Sequence, residues 1–253
     1  MGRKYRTETN LRSNLYVVGI ADSGAGKDHA RNAIREAFIA SELHQHLGGN
    51  RIASGAGLLA ALQRQPALLF QKDEFGQFLS SIADKRRAPA YKTEIWDLLI
   101  ELYTSAGGTF LGSEYADQKE RPRVDIVQPC CGLHATTVPG PFWTALRQAS
   151  LFDGGLARLL VFESDRIADS NLKAQRLENV PSELIETLQA INQGANQSYG
   201  GNLSSINGAR IIPAPHAVAM TPEAEHVFVQ DKEQTARLPN IEGKAQAAIY
   251  ARV

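Results

Sequence analysis

The chain has 253 residues, 43% of them hydrophobic, enough to bury a sizeable core as one large domain or as a domain with an appendage. Lys plus Arg and Asp plus Glu both number 27, so bulk charge points to neither a nucleic acid nor a membrane surface. Its longest apolar runs fall well short of the roughly 18 residues of a membrane span, and the basic start MGRKYR leads into no signal-peptide core. We therefore expect a cytoplasmic protein that contacts no membrane.

Residues 15–20 (LYVVGI) form a short apolar, β-rich run and lead through ADSGAGKD into the Ala-rich stretch 29–43, where Ala30, Ala33, Ile34, Ala37 and Phe38 approximate helical spacing. This predicts strand, glycine loop, helix. Residues 57–65 predict a second helix that Pro66 stops, and ALLFQKDEF at 67–75 predicts a second apolar strand ending in two carboxylates. Lys85, Arg86 and Arg87 with Pro89 mark an exposed loop, and 94–103 predicts a helix burying Ile95, Trp96, Leu98, Leu99 and Leu102. The Gly-rich, charged segment 107–124 reads as a hairpin or a mobile loop. VDIVQPCCGLHATT at 124–137 predicts a third apolar strand ending in hydroxyls, PGPFWTALRQA a helix begun by Pro139 and Pro141, and ARLLVFES a fourth strand led by Arg158. Cys130 and Cys131, the only cysteines, suit neither a disulfide scaffold nor a zinc site and read as small residues of that third strand.

From about residue 170 the character changes. A helix near 182–192, the Gly/Asn/Ser-rich stretch 194–208, a strand-like AVAM and a helix opening at TPEAE follow, and the final AQAAIYARV is still helix-like, as in a piece of a longer protein. The strand-helix alternation predicts a three-layer α/β fold, a mostly parallel sheet of about five strands with helices on both faces. Residues 1–169 are expected to form this core and 170–253 a smaller mixed appendage.

The loop at 21–28 matches the phosphate-binding pattern G-x-x-x-x-G-K-[ST] at Gly26 and Lys27, and departs from it at Ala21 and Asp28. Asp22, Ser23, Gly24, Ala25 and Gly26 supply a small-residue turn whose N–H groups can face inward, and Lys27 supplies an ammonium for the outer phosphates of ATP. An ordinary glycine turn is the plain alternative; the strand before and helix after favour phosphate. Asp28 stands where a hydroxyl would hold Mg2+, and its carboxylate could bind the ion directly or through water. At the end of the second strand, Asp73 reads as the residue of the magnesium shell and Glu74 as the base for an attacking water. Thr136 and Thr137 end the third strand, where either could sense the γ-phosphate, Thr136 preferred, unless they cap the next helix. Arg158, after Asp153, Gly154 and Gly155, reads as a finger toward the γ-phosphate of its own or a neighbouring subunit, or else as a structural ion pair. His134, Trp96 and Trp143 read as packing residues.

The series GIADSGAGKD, ASGAGLLAAL, LLFQKDEFGQFL, GLHATTVPGPFWTAL and FDGGLARLLVFES resembles a phage and prophage family of P-loop ATPases, found fused behind DNA primase or in primase-helicase proteins. The resemblance spans residues 14–164, and DEFG and GGLAR are its most specific parts. It implies a RecA-like or AAA-type core, an oligomeric ring and a replication setting on mobile elements, with Lys27 as the Walker A lysine, Asp73 and Glu74 as the Walker B pair, Thr136 as sensor and Arg158 as finger.

Three functions fit this pattern. The first is a DNA-dependent ATPase or helicase motor, with single-stranded DNA held through the basic clusters at 85–87 and 121–123. A nucleotide-gated binding module without turnover is the second, suggested by Asp28. A small-molecule or nucleotide kinase is the third, for which Lys85, Arg86, Arg87, Arg121 and Arg123 keep a lid available.

Overall fold

The computed structural model of the chain describes residues 2–84, 86–117, 119–120, 122–146, 154–165, 180–197 and 210–237. In order these form β1 (Tyr5–Thr7), β2 (Tyr16–Ala21), α1 (Lys27–Ala40), α2 (Gly55–Arg64), β3 (Ala67–Lys72), α3 (Phe75–Ala83) and α4 (Ala90–Ser105). A short pair, β4 (Thr109–Phe110) and β5 (Ile126–Val127), precedes β6 (Cys130–Thr137), α5 (Pro139–Leu146) and β7 (Leu159–Ser164). The remainder gives α6 (Ser182–Gln197), β8 (His216–Val218) and α7 (Pro222–Arg237). Lys85, Arg121 and Asp153, most of the 194–208 stretch and the helix-like chain end lie outside the described residues.

The apolar runs pair as one parallel sheet in the order β3-β6-β2-β7, flanked by helices. Among the described residues it has four strands rather than about five. AVAM does contribute a strand, but β8 pairs in parallel with β1, forming a separate two-stranded sheet. The N-terminal residues are thereby tied to the segment after 170: Arg3 donates to the Ile211 carbonyl at 2.8 Å and Tyr5 to that of Ile191 at 3.2 Å. Nothing in YRT signals a strand; its partner lies more than two hundred residues away.

Alternation along the strands divides the side chains between two faces. Tyr16, Val18 and Ile20 of β2, Leu68 and Phe70 of β3, and Cys131, Leu133 and Ala135 of β6 are buried in one core with Phe75 and Leu79 of α3, Trp96 and Leu99 of α4, and Phe142 of α5. The Tyr16 hydroxyl, fully buried, donates to the Leu99 carbonyl at 2.6 Å, which removes the cost of an unpaired phenol there. Cys131 is buried as expected, and burial pushes its thiol up to about 12. Trp96 is buried, whereas Trp143 is 37% exposed and donates its indole N–H to Glu163 at 3.1 Å, so only the first of the two is a core residue. Across the sheet, α1 lies over the polar face, where the Gln71 amide donates to the Arg31 carbonyl at 3.0 Å.

Helix α3 was not foreseen, although Phe75, Phe78, Leu79 and Ile82 have helical spacing and are all buried. It packs closely on α5. A Cβ on Gly76 would stand 2.7 Å from both the Phe142 backbone nitrogen and the Thr137 hydroxyl, and the Gly76 N–H itself donates to that hydroxyl at 3.0 Å. We predict that Gly76→Ala lowers stability by about 1–3 kcal/mol, the usual scale of overpacking. A urea-denaturation midpoint equal to that of the parent would contradict this contact.

Candidate functional site

The turn after β2 depends on Gly24 (φ 83°) and Gly26 (φ 80°), both in the left-handed region that glycine enters without steric cost. Gly26 is the N-cap of α1 and offers no side chain to it, so the positive end of the helix faces the loop uncapped. The Lys27 ammonium folds back onto the loop, donating to the Ala21 and Asp22 carbonyls at 2.7 Å each. Ala25 donates to the Asp22 carbonyl at 3.2 Å, closing the turn, while Asp22 and Ser23 stand exposed. A helix N-terminus, left-handed glycines and an ammonium are the parts that a chain of phosphates requires.

Strand register brings the other predicted residues together. Gly19 pairs with Thr136 and Lys72 with Ala135, so the end of β3 and the end of β6 are level beside the loop. Thr136 donates to the Asp73 carboxylate at 3.0 Å. Joining them is a residue the sequence reading passed over: Arg31, one turn into α1, donates to Asp28, to Asp73 at 2.8 Å and to the Thr136 hydroxyl at 3.2 Å. Its side chain is only 15% exposed, against 79% for Asp28 and 46% for Asp73. Burial by itself would raise the Asp73 pKa, but hydrogen bonds from Arg31, the Glu74 N–H and Thr136 outweigh it and hold the carboxyl below its ordinary value. The spacing Asp28-x-x-Arg31 was legible as an ion pair along a helix; that the same guanidinium reaches Asp73 was not.

Glu74 has left-handed backbone (φ 52°, ψ 40°) at the N-cap of α3, a costly conformation for a residue with a side chain. Its carboxylate accepts from the Gln77 amide at 3.1 Å, so Gln77 orients it. Thr137 faces the opposite side of β6 from Thr136 and caps the start of α3, not α5, by accepting from Gly76. His134 is half-buried, with its Nδ1 lacking a hydrogen-bond partner, as a packed histidine rather than a ligand.

Arg158 is not part of this assembly, so its reading as a finger toward the γ-phosphate of its own subunit is corrected. Parallel strands all begin at one end. Tyr16 pairs with Leu159, so Arg158 lies beside the start of β2, a six-residue strand or roughly 20 Å from the loop. Its guanidinium donates to the Gly154 carbonyl at 2.6 Å and to the Thr104 hydroxyl at 3.2 Å and lies over the Tyr103 ring, which fastens β7 to α4. The basic cluster near 121–123 is also neutralised at Arg123, paired with Glu114 and Asp125 at 2.7 and 2.8 Å. Arg87 faces Asp84 at 3.8 Å.

Among the described residues no group of three or more His, Cys, Asp or Glu side chains converges as a metal site, and no helix is long and apolar enough to cross a membrane. No protein-family model and no curated protein matches the chain.

Burial, followed by the nearby Arg31 charge, holds His134 below its ordinary pKa. The unfolded chain therefore takes up a proton first as pH falls, and folding stability should decline from about pH 6.5 downward through the depressed folded value. His134→Gln should reduce the loss in urea-denaturation midpoint between pH 7 and pH 5.5. An identical loss in parent and variant would exclude His134 as its source.

Proposed function

We propose that the chain binds ATP with magnesium at the 21–28 loop and hydrolyses it. The observation that carries this reading is the position of β6 between the loop strand and the strand of the acid pair, which sets Thr136 3.0 Å from Asp73 and within reach of the first turn of α1. Lys27, freed from the Ala21 and Asp22 carbonyls, would donate to the β- and γ-phosphate oxygens while the uncapped end of α1 offers its N–H groups. Glu74, held by Gln77, would take the proton of the attacking water. Thr136 would keep the Asp73 carboxylate turned toward α1.

Asp28, Asp73 and the Thr136 hydroxyl are the hard oxygen donors that magnesium takes, and the guanidinium among them marks a spot where positive charge is already stabilised. These residues fit the ion provided that Arg31 yields its place. Bound beside the phosphates, magnesium would offset charge building up on them. The engagement of both carboxylates by Arg31 also favours a second reading, a nucleotide-gated module in which ATP is held without turnover. A role in DNA replication, as a helicase-type motor in a ring of identical subunits, is supported by the family resemblance; among the described residues Arg123 is no longer a free cation for DNA.

Lys27→Ala should abolish ATP binding in a calorimetric titration, whereas Glu74→Gln should bind normally and lose about a hundredfold or more in phosphate release. Undiminished ATP affinity in folded Lys27→Ala would sink the assignment of the loop. Phosphate release by the parent, with and without single-stranded DNA, separates a stimulated motor from a binding module.

If Arg31 and magnesium compete for Asp28 and Asp73, Arg31→Ala should reach half-maximal phosphate release at a severalfold lower magnesium concentration. A higher magnesium requirement in the variant would mean instead that Arg31 supports the metal site.

A further inference from the structure

A cavity of about 440 Å³ opens between β3, α3 and α4, with Asp73 and Glu74 in its lining. Three cations line it, each from a different element: Arg51 from the segment before α2, Lys72 from the end of β3 and Lys92 from the first turn of α4. Phe78 and Tyr91 supply aromatic walls, and Ser81 a hydroxyl. Among the described residues no carboxylate forms a salt bridge with any of the three cations. Lys92 donates to Ser81 at 3.2 Å, and the Lys72 ammonium stands 5.0 Å from the centre of the Phe78 ring. The lining sets three cations against two carboxylates, so an anion entering beside the cations gains charge-assisted hydrogen bonds.

We infer that this cavity is a second anion site, separate from the 21–28 loop, that binds the phosphate of a single nucleotide unit. Three donors lining one cavity suit the several oxygens of a phosphate better than the two of a carboxylate. Tyr91, 46% exposed at the rim, offers a ring on which a base can stack. The volume lies within the roughly 300–1,000 Å³ of small-ligand sites, which admits one nucleotide and excludes a duplex. Such a unit comes from either of two sources, a free nucleoside monophosphate or one residue of a single strand. The cavity holds its ligand against Glu74, so occupancy there is positioned to affect whatever that carboxylate does.

The test uses the full chain carrying Lys27→Ala, which removes the loop as a phosphate binder and makes the result independent of the ATP assignment. Adenosine 5′-monophosphate and a short oligothymidylate are titrated separately by calorimetry, without nucleoside triphosphate. We expect saturable binding of at least one probe, weakened tenfold or more when Arg51→Gln or Lys92→Gln is added. Arg51 is exposed, so its substitution leaves the fold intact. Monophosphate binding lost in these variants identifies a small-molecule site; oligonucleotide binding alone, lost in the same variants, identifies a strand site. Failure of both probes to bind, or binding indifferent to both substitutions, overturns the inference.

Discussion

The Arg31 guanidinium holds the polar end of the sheet together. A cation whose side chain is mostly buried must be paired, because removing it from water costs several kcal/mol that only close anions and hydrogen bonds return. Its partners come from three places in the chain: Asp28 on α1, Asp73 beyond β3 and Thr136 at the end of β6. That one contact fastens α1 to the face of the sheet and, with the Glu74 N–H and Thr136, holds the Asp73 carboxyl below its ordinary pKa against the opposing effect of burial. The parallel register of β3, β6 and β2 makes it possible by bringing all three strand ends to the same level.

Two glycine-containing stretches show how the scaffold around this contact is closed. In DEFG, Glu74 takes a left-handed backbone so that α3 can start at once, and Gly76 lets that helix lie against α5 where any side chain would collide. In GGLAR, Gly154 takes a left-handed turn (φ 89°) and Gly155 sits against the Trp96 indole, while Arg158 spans from Gly154 to Thr104. These are the most specific parts of the sequence resemblance, and both have reasons in packing. A distinctive motif can thus report a close approach of backbone elements rather than a reacting group.

Charge is sorted between the two faces of the sheet. On the α1 face, carboxylates and Arg31 neutralise one another beside a glycine loop; on the other, Arg51, Lys72 and Lys92 line a cavity that Asp73 and Glu74 also border, none of the three in a salt bridge among the described residues. Alternation along β3 produces this division. Consecutive residues of an extended chain point to opposite faces, so the Asp73 carboxylate pairs with Arg31 while the Lys72 ammonium stands over the Phe78 ring.

Read alone, the residues determined the α/β class, four of the apolar strands, the glycine loop with its lysine and the acid pair. All of these are local signals: apolar runs of strand length, glycines before a helix, carboxylates at a strand end. Helix α3 was equally local and was overlooked because its hydrophobic spacing begins directly at the acid pair. Other features were decided by tertiary structure. Arg31 could be seen to pair with Asp28 one turn away, but its reach to Asp73 and Thr136 depends on which strands are neighbours, and strand order is not written in any one segment. Arg158 stands away from the loop of its own chain for the same reason, since a residue at the start of a strand lies across the sheet from a loop at the end of its parallel neighbour. The pairing of Tyr5–Thr7 with His216–Val218 and the meeting of Arg51, Lys72 and Lys92 around one cavity likewise join residues far apart in the chain. Sequence patterns report what each segment would bury or cap; the packing of distant segments decides which charged groups face one another.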